Sequence, residues 1–180
     1  ASKLAHALAS TQIAGVRTNA AFLIRCLRHP DFLKGEIDTA FIERHRAALI
    51  PEQNKPSPHI LARAALFLVE DRARAHSPDP WAAQDGFRLS GEAKEIVEFL
   101  VEDARVPVEI VHHRGGASSI FVNSKKIASD THASAIRLSS GDIAVMEGGE
   151  TWTLLLYDPF AAAEAKGDAT DRIKAPMPGK

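Results

Sequence analysis

The chain has 180 residues, of which 45% are hydrophobic and 25% are charged, with a formal net charge of −1 at pH 7. This composition is that of a folded protein, which excludes a disordered chain, and the charges of both signs are mixed, so we expect neither nucleic acid nor a membrane surface as partner. No apolar stretch approaches the roughly 20 residues that a membrane-spanning helix needs.

The first fifty residues predict three short helices. The first precedes Gly15, the second begins after Asn19 and stops before Pro30, and the third begins after Asp38 and ends before Pro51. Apolar residues recur at helical spacing in each of them. We expect these helices to find no sheet to pack on within the chain and to form the end of a domain whose remainder lies upstream.

A linker and a long apolar helix come next. Residues 51–58, PEQNKPSP, have the proline-rich, polar composition of an interdomain linker. Only Arg63 interrupts the apolar run of residues 60–69, and it falls on one polar stripe with Glu70 and Arg74. A helix that is apolar on nearly every side must be surrounded by other structure.

From residue 87 to residue 157 the hydrophobic pattern changes to period two, which indicates β-strands. The eight candidate strands are FRLS, EIVEFLV, VPVEIVHH, SSIFVN, KKIAS, SAIRLS, DIAVM and TWTLLLY. Short turn sequences such as Asn123-Ser124 and Gly148-Gly149 separate them, as in antiparallel hairpins. The predicted fold is therefore α+β, with a short helical N-terminal segment followed by a long central helix enclosed by an antiparallel eight-stranded β-barrel.

The residue types that carry chemistry form no recognisable site in this sequence. Eight histidines are present, but no two have metal-binding spacing within one helix, and the adjacent His112 and His113 must point to opposite faces of a strand. Ser118 and Ser119 lack the Gly-x-Ser-x-Gly context of an esterase nucleophile. The single cysteine, Cys26, fits a reducing compartment. We predict no catalytic, cofactor-binding or metal-binding residues.

Four segments, taken together, resemble one family of enzymes. Residues 15–45, GVRTNAAFLIRCLRHPDFLKGEIDTAFIERH, resemble the closing helices of a biotin carboxylase domain. Residues 80–89, PWAAQDGFRL, and the DPF that begins at residue 158 resemble the segment that follows in alpha subunits of the 3-methylcrotonyl-CoA carboxylase type. The terminal APMPGK resembles the entry strand of a biotin carrier domain.

The resemblance implies a division of the chain into four parts. Residues 1–50 would be the C-terminal helices of the biotin carboxylase domain, 51–58 a linker, 59–160 the mediating BT domain, and 161–180 a linker with the start of the biotin carrier domain. Both ends would then be cuts through a longer subunit, located in a bacterial cytoplasm or the mitochondrial matrix. Biotin, and ATP with magnesium, would bind parts of the parent chain outside this one, which would itself be non-catalytic.

The same resemblance implies a docking role. The partners would be the carboxyltransferase beta subunit and the biotin carboxylase and biotin carrier domains of the same chain. The segment between the long helix and the first strand is stiffened by two prolines, and in this family it looks like a hook toward partner domains. We therefore assign Trp81, Phe87 and Arg88 as candidate contacts to the beta subunit.

Two other functions remain open at this point. A helix-containing barrel could bind a small ligand, although the apolar helix would fill the volume that a ligand needs. A hydrolase would need a nucleophile and an oriented base, and the sequence shows neither.

Overall fold

The computed structural model describes residues 1–51, 55–74, 91–102, 104–113, 117–128 and 132–158. The first part contains five short helices. They are α1 (Ser2–Ser10), α2 (Ala20–Arg28), α3 (Pro30–Lys34), α4 (Phe41–Arg44) and α5 (Arg46–Leu49). In the part of the chain so described, no helix has both the length and the apolar character to cross a bilayer.

The limits of these helices follow from the residues at their ends. Pro30 ends α2, as predicted, and begins α3 at the position where a missing N–H costs nothing. Gly35 ends α3 in the left-handed conformation, with φ of 81°. The third predicted helix is divided in two, because His45 has the non-helical φ and ψ of −109° and 18°. The side chain of Asp38 accepts a hydrogen bond from the backbone N–H of Ala40 at 3.1 Å, just before α4.

A small apolar cluster holds α2 to α5 together. Cys26, Phe41 and Leu49 are buried in it, and Phe22 and Phe32 pack against them. The helices are therefore joined by contacts between residues distant in sequence.

The long helix α6 (Pro58–Arg74) begins the second part of the molecule. Most of its apolar residues are buried, and Ala64 and Ala65 have no exposed surface. The predicted polar stripe is present: Arg63 donates to Glu70 Oε2 at 3.1 Å and to the carbonyl of Ala133 at 3.0 Å. Even the charged residue of the apolar run is thus bonded to its surroundings.

Among the described residues, seven antiparallel strands form one sheet. They are β1 (Ala93–Val101), β2 (Ala104–His112), β3 (Ser118–Val122), β4 (Lys125–Ile127), β5 (Ser134–Arg137), β6 (Ile143–Glu147) and β7 (Glu150–Leu156). Their order across the sheet is β4-β3-β2-β1-β7-β6-β5. Positive φ at Asn123 and Ser124, and at Gly148 and Gly149, closes two of the hairpins as the turn sequences predict.

One face of the sheet and α6 make a common core. The strand residues in it alternate as predicted: Phe99, Val108, Ile110, Ile143 and Val145 are completely buried. They pack against α6, which contacts β3 and β4 at one end of the sheet and β5 and β6 at the other. The sheet is therefore curled around one side of the helix.

The predicted closed eight-stranded barrel around a central helix is not confirmed. The described residues form a half-barrel of seven strands, in which no ladder joins β4 to β5. These terminal strands are short, with three residues in β4 and four in β5. The eighth candidate, FRLS, lies outside the described residues.

The expectation that the N-terminal helices have no sheet to pack on is wrong. Arg25 of α2 is paired with Glu150 of β7. Thr151 donates its hydroxyl to the carbonyl of Ile13 at 3.2 Å, and Gln12 donates to Ser134 at 2.6 Å. The helices therefore lie against the β6–β7 hairpin, a contact that the hydrophobic pattern could not predict because it is largely polar.

Candidate functional site

The residues assigned from the sequence to partner contacts are not among those described. Trp81, Phe87 and Arg88 all lie between Arg74 and Gly91, where the structure describes no residue. A candidate site must therefore be built from the surface and side-chain clusters of the described residues.

The face of the half-barrel opposite α6 exposes apolar side chains on its central strands. Ile96 of β1 is 68% exposed and Leu155 of β7 is 45% exposed. Leu155 lies beside Leu100 of β1 in the strand register. Exposed apolar residues that adjoin one another and form a patch are a feature of surfaces that contact partners.

Arginine and tyrosine side chains border these apolar residues. Arg105 lies directly across from Leu100, and its guanidinium is 3.9 Å from the centre of the Tyr157 ring. The stacked pair keeps both side chains ordered at the surface. We call the set Ile96, Leu100, Arg105, Leu155 and Tyr157 the outer face.

An ion pair lies next to the outer face. Lys94 Nζ is 2.9 Å from Glu109 Oε1, across the β1–β2 ladder. The hydrogen bond that Lys94 donates to Glu109, and then the negative charge of Glu109, raise the pKa of the Lys94 ammonium. The lysine is therefore positively charged at neutral pH, and the border of the outer face carries charges of both signs.

Two serine–histidine–glutamate arrangements lie at one end of β1, β2 and β3. His113 contacts Ser119 through Nε2 and Glu92 through Nδ1, each at 2.8 Å. His112 contacts Ser118 at 3.1 Å through Nδ1, and its Nε2 is 3.5 Å from Glu95, which also binds Arg72. The two histidines have separate partners, in agreement with the prediction that they point to opposite faces.

These arrangements do not make a hydrolase site. Ser119, which has the contacts of a triad nucleophile, is only 8% exposed and pairs with Val111 in the β2–β3 ladder. A nucleophile must reach the substrate carbonyl, and this hydroxyl is covered. We interpret both histidines as bridges that fix the strand ends.

A third cluster, missed in the sequence, joins the ends of three helices. His29 precedes α3, Asp31 lies in its first turn, and His45 separates α4 from α5. His45 Nε2 is 2.9 Å from Asp31 Oδ2, and His29 Nδ1 is 3.9 Å from the same oxygen. The two histidines are separated by 16 positions along the chain, which matches no spacing of metal ligands within one helix, so only the fold brings them together.

Comparison with known proteins places two family segments on this chain. Residues 1–44 match the biotin carboxylase C-terminal domain, and residues 57–166 match the family described as the BT domain of the methylcrotonyl-CoA carboxylase alpha subunit. The second match covers more than half of the chain.

Relatives carry the corresponding names. The methylcrotonoyl-CoA carboxylase subunit alpha of Dictyostelium discoideum is 31% identical over 78% of this chain and 20% of its own length. That of Mus musculus is 26% identical over 69% of this chain and 18% of its own length. Pyruvate carboxylase 1 of Caenorhabditis elegans is 40% identical over 39% of this chain and 6% of its own length. The chain thus spans about a fifth, or less, of each of these relatives.

Proposed function

The chain belongs to the family of the methylcrotonyl-CoA carboxylase alpha-subunit BT domain, and from this we propose that its half-barrel docks a biotin carboxylase subunit onto a carboxyltransferase beta subunit. The observation that carries the proposal is the order of the two family segments. The C-terminal part of a biotin carboxylase domain is followed directly by the BT segment in one chain. The half-barrel is therefore covalently joined to the subunit that it would dock.

The activity of the whole protein is part of the proposal. Its parent subunit would carboxylate biotin with ATP and bicarbonate, and a carrier domain would bring carboxybiotin to the acyl-CoA site on the beta subunit. We propose the domain limits 1–50, 51–58, 59–160 and 161–180 for the biotin carboxylase end, linker, BT domain and carrier start. The location would be the mitochondrial matrix, since the names of several relatives include that organelle, or a bacterial cytoplasm.

The chain by itself would be non-catalytic, because its role is structural. Bicarbonate-dependent ATP hydrolysis by the purified chain would overturn that part of the proposal.

The outer face supports docking in two ways. The inner face of the sheet is occupied by α6, which fixes the strands and leaves the opposite surface as a rigid platform. That surface combines exposed aliphatic residues with an arginine stacked on a tyrosine. Arginine and tyrosine are among the residue types most often found at the energetic centres of interfaces.

We also propose that Trp81, Phe87 and Arg88 extend the contact as a hook. A proline-stiffened segment that presents a large aromatic loses little conformational entropy on binding. This part of the proposal rests on the sequence alone.

A small-ligand function receives less support. The interior of the half-barrel is filled by apolar side chains from both α6 and the strands, Phe67 and Phe99 among them. A ligand there would have to displace packed side chains, which is unfavourable.

The test is the affinity of variants for the beta subunit. Ile96→Glu would place a charge in the centre of the outer face. We expect this variant to have an at least tenfold higher Kd for the beta subunit, measured by biolayer interferometry. Ile136→Glu is the matched control, because Ile136 is an exposed strand isoleucine on the terminal strand β5, 39% exposed. Equal affinity of the two variants would overturn the assignment of the outer face.

The hook needs a paired measurement on Trp81→Ala. If Trp81 is a partner contact, the variant keeps its thermal stability and binds the beta subunit more weakly. A large loss of stability with unchanged affinity would instead place Trp81 in the core of the chain.

A further inference from the structure

We propose that His29, Asp31 and His45 bind a divalent transition-metal ion of the zinc type. The proposal is independent of docking, and it departs from the expectation, drawn from sequence spacing, that the chain codes for no metal site. It rests on the distances between the three side chains, on the bonding of their nitrogen atoms and on the packing around them.

The distances match those that a metal ion imposes. With bonds of about 2.0–2.1 Å, a tetrahedral zinc ion holds its nitrogen and oxygen ligands about 3.3–3.4 Å apart. The distances from Asp31 Oδ2 to His45 Nε2 and to His29 Nδ1 are 2.9 and 3.9 Å, on either side of that value. One donor atom from each residue lies within 4.8 Å of the other two. Shifts of about 0.5 Å would bring these two carboxylate–imidazole distances to the value for a tetrahedral ion.

The bonding of His45 leaves a nitrogen available. Its Nε2 atom is buried and has no hydrogen-bond partner among the described residues, although Asp31 Oδ2 is only 2.9 Å away. The direction of the contact is therefore unsuitable for a hydrogen bond. A buried polar atom without a partner is unfavourable, and a metal ion beside it would satisfy the nitrogen.

The bonding of His29 is also compatible with a ligand role. Its Nδ1 accepts a hydrogen bond from the backbone N–H of Asp31 at 3.3 Å, beyond the usual range for such bonds. A nitrogen that accepts is unprotonated, which is the state that binds metals. A metal ion would replace only this weak bond.

The surroundings hold the two imidazole rings in place. The ring of Phe41 packs beside both of them, with centroid distances of 5.3 Å to His29 and 5.2 Å to His45, and the two imidazole centroids are 4.1 Å apart. Rings that are fixed by packing lose little freedom when they bind a metal. His29 also lines an open cleft between α2 and the β6–β7 turn.

The donor set indicates the class of ion. Two imidazoles and one carboxylate suit zinc and the neighbouring transition metals rather than calcium or magnesium, which prefer oxygen. Three protein ligands leave a fourth position for water or for a group from another molecule. Bound there, an ion would link the junction of α2 and α3 to the junction of α4 and α5.

The experiment is a calorimetric titration of the purified, chelator-treated 180-residue chain with Zn²⁺. We expect one ion per chain, with an affinity that falls as pH is lowered through the range in which imidazoles protonate. Two ligand variants, Asp31→Asn and His29→Asn, should each weaken binding by at least about tenfold. Asparagine at position 29 keeps an oxygen that can accept the Asp31 N–H, so the start of α3 is preserved.

The matched control is His113→Asn. His113 forms another histidine–carboxylate pair, with Glu92, but the described residues bring no third ligand to it, so we expect zinc affinity to be unchanged. Circular dichroism shows whether each variant folds, and the absorption spectrum of Co²⁺ added in place of zinc reports directly on coordination. Absence of one-to-one binding by the folded chain, or equal affinity of all three variants, would overturn the proposal.

Discussion

Gly149 determines how closely the β6–β7 turn approaches helix α2. Its φ is 82°, and a Cβ atom built there would lie 2.6 Å from Ile24 Cδ1 and 3.1 Å from the backbone nitrogen of Ala21. A side chain at this position is thus disfavoured both by backbone conformation and by space. The ion pair between Arg25 and Glu150 lies beside Gly149. Gly149 therefore allows the helical part and the half-barrel to pack closely at this point.

The neighbouring Gly148 provides the comparison that separates these two effects. Its φ is 59°, but a Cβ there would have nothing within 4 Å. We expect Gly148→Ala to lose about 1 kcal/mol from backbone strain. Gly149→Ala should lose about 1–3 kcal/mol more, because the helix must move away. Urea unfolding measures both, and equal losses would show that the turn does not touch α2 in solution.

Cys26 lies in the small cluster of the helical part, and desolvation by burial raises the pKa of its thiol above the ordinary value of 9.0. Burial therefore favours the protonated thiol in the folded state. The contribution of this thiol to the stability of the fold is fully present below pH 9.0, and it is lost as pH rises through the higher pKa of the folded state. Between about pH 8 and 9, near the ordinary thiol pKa, we expect iodoacetamide to alkylate Cys26 much more slowly in the folded chain than in the chain unfolded by urea. Equal rates would contradict the burial of Cys26.

Of the described secondary-structure elements, α6 contributes the most buried residues to the common core. Its apolar residues, which lie on nearly every side of the helix, predict this burial from the sequence. Leu68 is 3% exposed in the common core with the strands. We expect Leu68→Ala to reduce the free energy of unfolding by about 2–5 kcal/mol, since it leaves a cavity. Ile96→Ala is the control, because Ile96 is 68% exposed, and its cost should be about 0.5 kcal/mol or less. A small loss for Leu68→Ala would place that side of α6 at the surface.

For the strands, the sequence predicts which residues are buried but not whether the sheet closes. Period-two alternation predicted the buried face of β1, β2 and β7, Val97 and Phe99 in β1 for example, because burial of one face dictates the alternation. Closure of the sheet was not predictable, since it depends on whether β4 and β5 meet, and no local pattern encodes that. The break at His45 was missed for a similar reason: its environment is formed by His29 and Asp31, which come from another helix.

The candidate sites also differ in whether the sequence pattern predicts them. The apolar residues of the outer face alternate with the core along the strands, so their exposure follows from the pattern once strand positions are known, as for Ile96. The histidine cluster depends on the packing of three helix ends, and helical spacing within one segment could not reveal it. The assignment of Trp81, Phe87 and Arg88 stays a prediction, since they lie outside the described residues.

At the scale of the whole molecule, the described residues form a small helical part and a larger half-barrel. Among them, the half-barrel core contains eighteen buried residues, whereas the helical cluster contains three, so the half-barrel carries most of this apolar packing. The two are joined through the β6–β7 hairpin by polar contacts such as that of Thr151 with Ile13. This arrangement is compatible with the proposed docking role, in which the sheet would present its outer face to the partner, while the helices, which match the C-terminal part of a biotin carboxylase domain, would join it to that domain.

Sedimentation velocity can detect the proposed docking to a beta subunit without any substitution in the chain. The folded chain is mixed at micromolar concentration with the carboxyltransferase beta subunit of the same organism. We predict one faster boundary that contains both proteins and saturates at a fixed ratio. Two boundaries that sediment independently, with the chain shown to be folded by circular dichroism, would contradict the proposed docking function.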